Sequence, residues 1–174
     1  MKNKILKYFS LLLYYSFFKH LPSNSMCSFC VKMRCLILRY IFASVGYNVN
    51  VASGVRFGLG SKVHIGNNSG IGEDSYIVAM DEVVIGNDVM IAPQVMILTG
   101  GHEYQRPDLL LREQKITIAP VEIGNDCWIG ARAVILPGVK ICSRVVIASG
   151  AVVTKSIDSP GVYAGVPARQ VREL

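Results

Sequence analysis

Residues 121–153 read VEIGNDCWIGARAVILPGVKICSRVVIASGAVV, with Ile123, Ile129, Ile135, Ile141, Ile147 and Val153 six positions apart throughout. The same spacing runs backwards along the chain. Ile85, Ile91 and Ile97 form one run, Ile65, Ile71, Ile77 and Val83 another, and Val51, Phe57 and Val63 the first. All sixteen positions are Ile, Val or Phe, and the next residue is Gly or Ala in nine of them. Four residues on, the chain places something small or β-branched, as at Ser69, Ser75, Val89, Val95, Cys127, Ala133, Val139, Val145 and Ala151. A period of six fits neither the 3.6 of a helix nor the 2 of a plain strand. Each hexapeptide is read as a short strand and a turn, with the large apolar residue pointing inward. Three such sides close a triangular coil of about 18 residues, and stacked coils make a parallel β-helix with a central column of Ile and Val.

The frame slips by two residues at Val63–Ile65, Val83–Ile85 and Val121–Ile123, each within V-x-I-G-N. The first two slips are 20 residues apart and the next two 38 apart, so an extra stretch lies between them, at about 98–120. A stacked solenoid accepts such an insertion only as a loop projecting from a corner, and loops on rigid scaffolds tend to carry function.

With 174 residues and 19.0 kDa the chain fits one domain with a small appendage, read as a basic helical region at 1–48 and a β-helix at 49–174. Hydrophobic residues make up 51% and charged residues only 17%, against about 25% charged in ordinary domains, which excludes a disordered or collagen-like chain. No apolar run reaches the roughly 18 residues a transmembrane helix needs. The net charge of +6 is uneven. Residues 1–72 hold nine Lys and Arg and no acid, whereas residues 73–174 hold the other nine bases and all twelve acids. Such a block suits an anionic partner. Cys27, Cys30 and Cys35 read C-x2-C-x4-C, a metal half-site with His20 nearby and no fourth ligand at metal spacing. Five cysteines without a secretory signal favour reduced thiols in a cytosolic protein, and no metal is expected. The three Thr, Thr99, Thr117 and Thr154, form no flat array of the kind an ice-binding solenoid would need.

The segments VVIGNDVMIAPQVMILTGGH (83–102), VEIGNDCWIGARAVILPGVKI (121–141), SGAVVTKSI (149–157) and AGVPARQVREL (164–174) together resemble the hexapeptide-repeat acyltransferases, in the maltose/galactoside O-acetyltransferase branch. The resemblance covers about residues 50–174. It implies a left-handed coil, against the usual right-handed crossover, a homotrimer with sites between subunits, and acetyl-CoA as acyl donor. A hydroxyl attacking a thioester needs a base near neutral pKa, and His102 in TGGH matches the family's catalytic His, although Glu103 stands where many members have Pro. By resemblance, backbone N–H near Gly130 and Ala131 receives the oxyanion, and Trp128 lies along the pantetheine arm and acceptor pocket. Ser149, Thr154 and Lys155 match further cofactor contacts, and Arg169 and Arg172 match the bases that meet the phosphates. Lys155, Arg169 and Arg172 suit phosphate charge. The acceptor side departs from the sugar acetyltransferases, because their Asn position falls on Gly72 and their acidic position on Met80. Glu73, Asp74, Asp81 and Glu82 lie nearby, and Asp81 is a candidate either for orienting His102 or the acceptor, or for a corner turn.

Residues 5–18 form an apolar-aromatic stretch, and residues 31–43 suggest an amphipathic helix with Lys32, Arg34 and Arg39 on its polar side. Two helices capping the open end of the solenoid satisfy this composition. Peripheral docking on a membrane adds a reason for the charge. The chain resembles surface-polysaccharide O-acetyltransferases in this region. The expectation is therefore acetyl transfer to a sugar hydroxyl of a surface polysaccharide or lipid-linked precursor, in the cytoplasm or at the inner face of its membrane. Nucleic acid is not expected as a partner. An N-acetyltransferase acting on an amino sugar or drug, and a non-enzymatic membrane scaffold, remain as alternatives.

Overall fold

Each side of the prism is one hexapeptide wide, so its repeating strands are two or three residues long, and only the two that close the second face reach four. The structure is a computed structural model that describes residues 4–22 and 26–174. It forms the expected left-handed parallel β-helix. The first face stacks Ser44–Val45, Val63–Ile65, Val83–Ile85, Val121–Ile123 and Lys140–Ile141. The second stacks Asn50–Val51, Gly70–Ile71, Met90–Ile91, Trp128–Ile129, Val145–Ile147 and Gly161–Ala164, closed by the antiparallel strand Arg169–Arg172. The third stacks Tyr76–Val78, Met96–Leu98, Val134–Ile135 and Val152–Val153.

Register turns the period of six into columns. Ile65, Ile85, Ile123 and Ile141 stand above one another on the first face. Val51, Ile71, Ile91, Ile129 and Ile147 do so on the second, and Ile77, Ile97, Ile135 and Val153 on the third. All sixteen period-six residues are buried, and so are the small residues read as filling the remaining interior. Two of those fillers are hydroxyls, and both are satisfied: Ser69 Oγ donates to Gly86 O at 2.7 Å and accepts from Val89 N at 3.0 Å, and Ser75 bridges Ala92 and Val95 in the same way.

The V-x-I-G-N slip has a physical reason. Its Val and Ile both point inward on a three-residue strand. Its Asn then bonds to the preceding coil. The Oδ1 atoms of Asn67, Asn87 and Asn125 accept from the N–H of Tyr47, Asn67 and Asn87 at 2.8–3.0 Å, and Ser143 Oγ continues the ladder under Asn125. The Gly allows the coils to approach, since a Cβ on Gly66 would lie 2.5 Å from Gly86 O. The corner between the first and second faces turns on Asn48, Asn68, Asp88, Asp126 and Arg144, with φ of 52–62°. Asn and Asp tolerate that region better than most side chains.

At the N-terminal end, α1 (Lys4–Ser16) and α2 (Ser28–Ile41) cover the first coil. Tyr14, Leu38, Ile41 and Phe42 join the same core as Phe57, with the Tyr14 and Phe42 rings each 4.7 Å from the Phe57 ring. Tyr14 Oη donates to Val55 O at 2.9 Å. One residue departs from the sequence reading. Arg34, expected on the polar face of α2 with Lys32 and Arg39, is fully buried. Its guanidinium donates to Phe18 O at 3.0 Å, Val51 O at 2.8 Å, Pro22 O at 3.1 Å and to Leu21 O. It ties the connection after α1, and α2 itself, to the first coil, and loss of solvent holds its pKa below the usual guanidinium value. Lys32 and Arg39 remain exposed.

Candidate active site

The insertion leaves the prism after Leu98, at the corner between the third and first faces. Thr99 is buried at its root. Its Oγ1 donates to Val78 O at 2.7 Å and accepts from Asp81 N at 2.9 Å, while Ala119 N donates to Thr99 O at 3.0 Å. Between these anchors Gly100–His102 pairs antiparallel with Ile116–Ile118, placing His102 opposite Ile116. Beyond the hairpin, Gln114 is buried. Its Nε2 donates to Arg106 O at 3.0 Å and its Oε1 accepts from Arg106 N at 3.0 Å, which closes the loop on itself. The sequence reading missed both the hairpin and Gln114, because a lone amide among polar residues carries no periodic signal.

The structure thus holds His102, exposed to solvent, on a braced arm. Among the described residues its ring has no hydrogen-bond or ion-pair partner within the chain. The Asp81 carboxylate is turned into its own corner, accepting from Glu82 N at 2.8 Å and lying 4.0 Å from Lys62 Nζ. Its contribution to the hairpin comes through its backbone bond to Thr99. Met80 sits closer to the arm, since a Cβ on Gly100 would lie 2.5 Å from its Sδ. A thioether therefore occupies the base of the hairpin. Gly72 is equally constrained, because a Cβ there would lie 2.4–2.5 Å from the backbone of Ala92 and Pro93. The other histidine of the solenoid, His64, bridges Ser44 Oγ at 2.9 Å and Glu82 Oε2 at 2.7 Å along the first face. Among the described residues no group of three or more His, Cys, Asp or Glu is placed to hold a metal.

The remaining candidates fall in three places. Gly130, Ala131 and Ser149 come together at the corner between the second and third faces. Gly130 N donates to Ile147 O at 2.7 Å, Gly150 N donates to Ala131 O at 2.8 Å, and a Cβ on Gly130 would lie 2.5 Å from Ser149 N. The Ala131 N–H has no acceptor among the described residues. Thr154 and Lys155 follow the last strand of the third face and are exposed on the edge from which the hairpin also leaves. Trp128, 51% exposed, lies on the second face between Met90 and Val146, beside a cavity of about 180 Å³ that it lines with Arg144 and Leu174. Arg169 and Arg172 are exposed on the strand that closes this face. The second face lies across the prism from the hairpin's edge, so one chain does not bring Trp128 to His102.

Residues 120–155 match the family of bacterial transferase hexapeptides (six repeats). Galactoside O-acetyltransferase of Escherichia coli K12 is 38% identical over 144 residues, which is 83% of this chain and 70% of that protein. A maltose O-acetyltransferase from Clostridium difficile 630 superposes with a TM-score of 0.81 at 30% identity, over 99% of this chain and 89% of its own. A galactoside acetyltransferase solved in complex with coenzyme A gives a TM-score of 0.81 at 34% identity, over 97% of this chain and 80% of its own. The repeat and these likenesses agree, and the chain belongs to the hexapeptide-repeat acyltransferases, close to the galactoside and maltose O-acetyltransferases.

Proposed function

We propose that the chain transfers acetyl from acetyl-CoA to a sugar hydroxyl, with His102 as general base, in a site completed by two copies of a homotrimer. The observation that carries this reading is the braced hairpin that holds His102 out from the prism. An imidazole titrates near neutrality and suits proton removal from a hydroxyl. The acceptor oxygen bonds to the acetyl carbon, the carbon–sulfur bond breaks, and the proton taken by His102 passes to the departing thiolate. The unengaged Ala131 N–H suits the developing oxyanion charge. Ser149 and Thr154 suit polar contacts along the donor, and Lys155, Arg169 and Arg172 suit its phosphates. Two features support sharing of the site. Trp128 and the His102 arm lie across the prism from each other, and the arm exposes Tyr104, Leu110 and Leu111, apolar surface that a neighbouring copy would cover.

The acceptor is proposed to be a larger glycan, a surface polysaccharide or its lipid-linked precursor, because Gly72 and Met80 remove the polar contacts expected for a simple galactoside or maltoside. Wild-type enzyme with acetyl-CoA and an acceptor panel tests this directly. The expected product is an ester that mild base releases; a base-stable amide, or full activity in His102→Ala, would reject the reading. Co-expression of His102→Ala with Trp128→Ala tests the shared site. Recovery of activity above either variant alone is expected, and no recovery would place the whole site in one chain.

A further inference from the structure

Each of the two N-terminal helices has one face on the core and an opposite face that is far from polar. On α1, Ser10 and Tyr14 are buried, whereas Tyr8, Phe9 and Leu12 are 58, 56 and 65% exposed. On α2, Phe29 and Leu36 are 68 and 51% exposed, with Lys32 exposed between them. A helix that only caps a solenoid gains nothing from aromatic rings on its outer side, and exposed apolar surface of this kind marks a docking site. Charge names the occupant. The first 72 residues contain nine Lys and Arg and no acid. Arg34 is buried against backbone carbonyls, and Lys62 turns to Met80 O and Asp81 on the prism, whereas Lys4 and Lys32 on the helices are exposed. Apolar and aromatic side chains framed by lysines, without one carboxylate, complement a surface that is anionic above and hydrocarbon below. No described helix is long and apolar enough to cross a membrane, so such a contact lies in the plane of the surface.

We propose that α1 and α2 dock the enzyme on an anionic lipid bilayer, with Tyr8, Phe9, Leu12, Phe29 and Leu36 entering the headgroup–acyl boundary and Lys4, Lys7 and Lys32 facing lipid phosphates. The proposal concerns where the enzyme sits, and its readout needs no acetyl transfer. The test is co-sedimentation of the full chain with phosphatidylcholine vesicles, with and without phosphatidylglycerol. Binding is expected to be about tenfold or more stronger on the anionic vesicles and to weaken as salt rises. The double variant Phe9→Glu with Leu12→Glu changes exposed side chains only, so its melting temperature and assembled mass are expected to match wild type while vesicle binding falls about tenfold or more. Lys4→Ala with Lys7→Ala and Lys32→Ala is expected to lose the preference for anionic vesicles. Equal sedimentation with both vesicle types would overturn the proposal, as would unchanged binding in the glutamate variant. A change in that variant's assembled mass by light scattering would also overturn it, and would assign the face to a second copy of this chain.

Discussion

The prism and the arm it carries are held by different means. In the prism every coil repeats the contacts of the last. An Ile column runs up the inside, an Asn ladder stitches the outside, and all sixteen repeat positions are buried. The arm at 99–119 has no core, and its residues are exposed except at Thr99, Gln114 and a few partly covered positions. Its shape depends on a two-stranded pairing and on single side chains placed once. Under the proposed function, the difference separates stability from activity. Damage to the prism should lower the melting temperature with the chemistry intact until unfolding, whereas damage to the arm should lower turnover with melting unchanged.

The sharpest break is His102→Ala, expected to lower turnover by about 10²–10⁴-fold while coenzyme A binding, followed by calorimetry, and the melting temperature stay at wild-type values. Retained turnover would remove the arm from the chemistry. Ile135→Ala cuts the third-face column at a fully buried site and should cost about 3 kcal/mol, read as a lower denaturant midpoint, with the specific activity of the folded fraction unchanged. Arg34→Ala removes the guanidinium that four backbone carbonyls share and should cost about 2 kcal/mol, with hydrogen exchange rising first in α1 and the first coil. If that exchange is unaltered, the cap is held by its aromatic contacts alone. Gln114→Ala loosens the loop that continues the His102 hairpin and should lower turnover roughly tenfold through misplacement of the base, with faster proteolysis at 104–113 and the same global melting point. Asn87→Ala removes one step of the ladder and should cost about 1 kcal/mol, the smallest effect in the series.

The fold was legible because a solenoid repeats one decision many times. A wrong guess at one hexapeptide would have been outvoted by the others, and the burial of all sixteen positions follows from that redundancy. The V-x-I-G-N slips were visible as well, although only the stacked coils show that Asn binds the previous coil and Gly lets it approach. Residues that occur once carry no periodic signal: His102 was singled out by resemblance alone, and Gln114 not at all. Arg34 was misplaced for a related reason. A helical pattern assigns a charged residue to the wet face, and nothing local shows that backbone carbonyls from the first coil and from the connection after α1 will converge on it.

The sequence by itself determined the triangular coil, the inward column, the corner at which the insertion leaves, and the charge imbalance of the N-terminal region. These depend on spacing and composition, which need no knowledge of distant neighbours. The tertiary structure decided that the insertion is a braced hairpin, that Asp81 turns into its corner while Met80 lies under the arm, and that the Trp128 face and the His102 edge lie on opposite sides of one prism. Each of those outcomes is a contact between residues far apart in sequence, set by how coils stack, and stacking is a property that no single repeat contains.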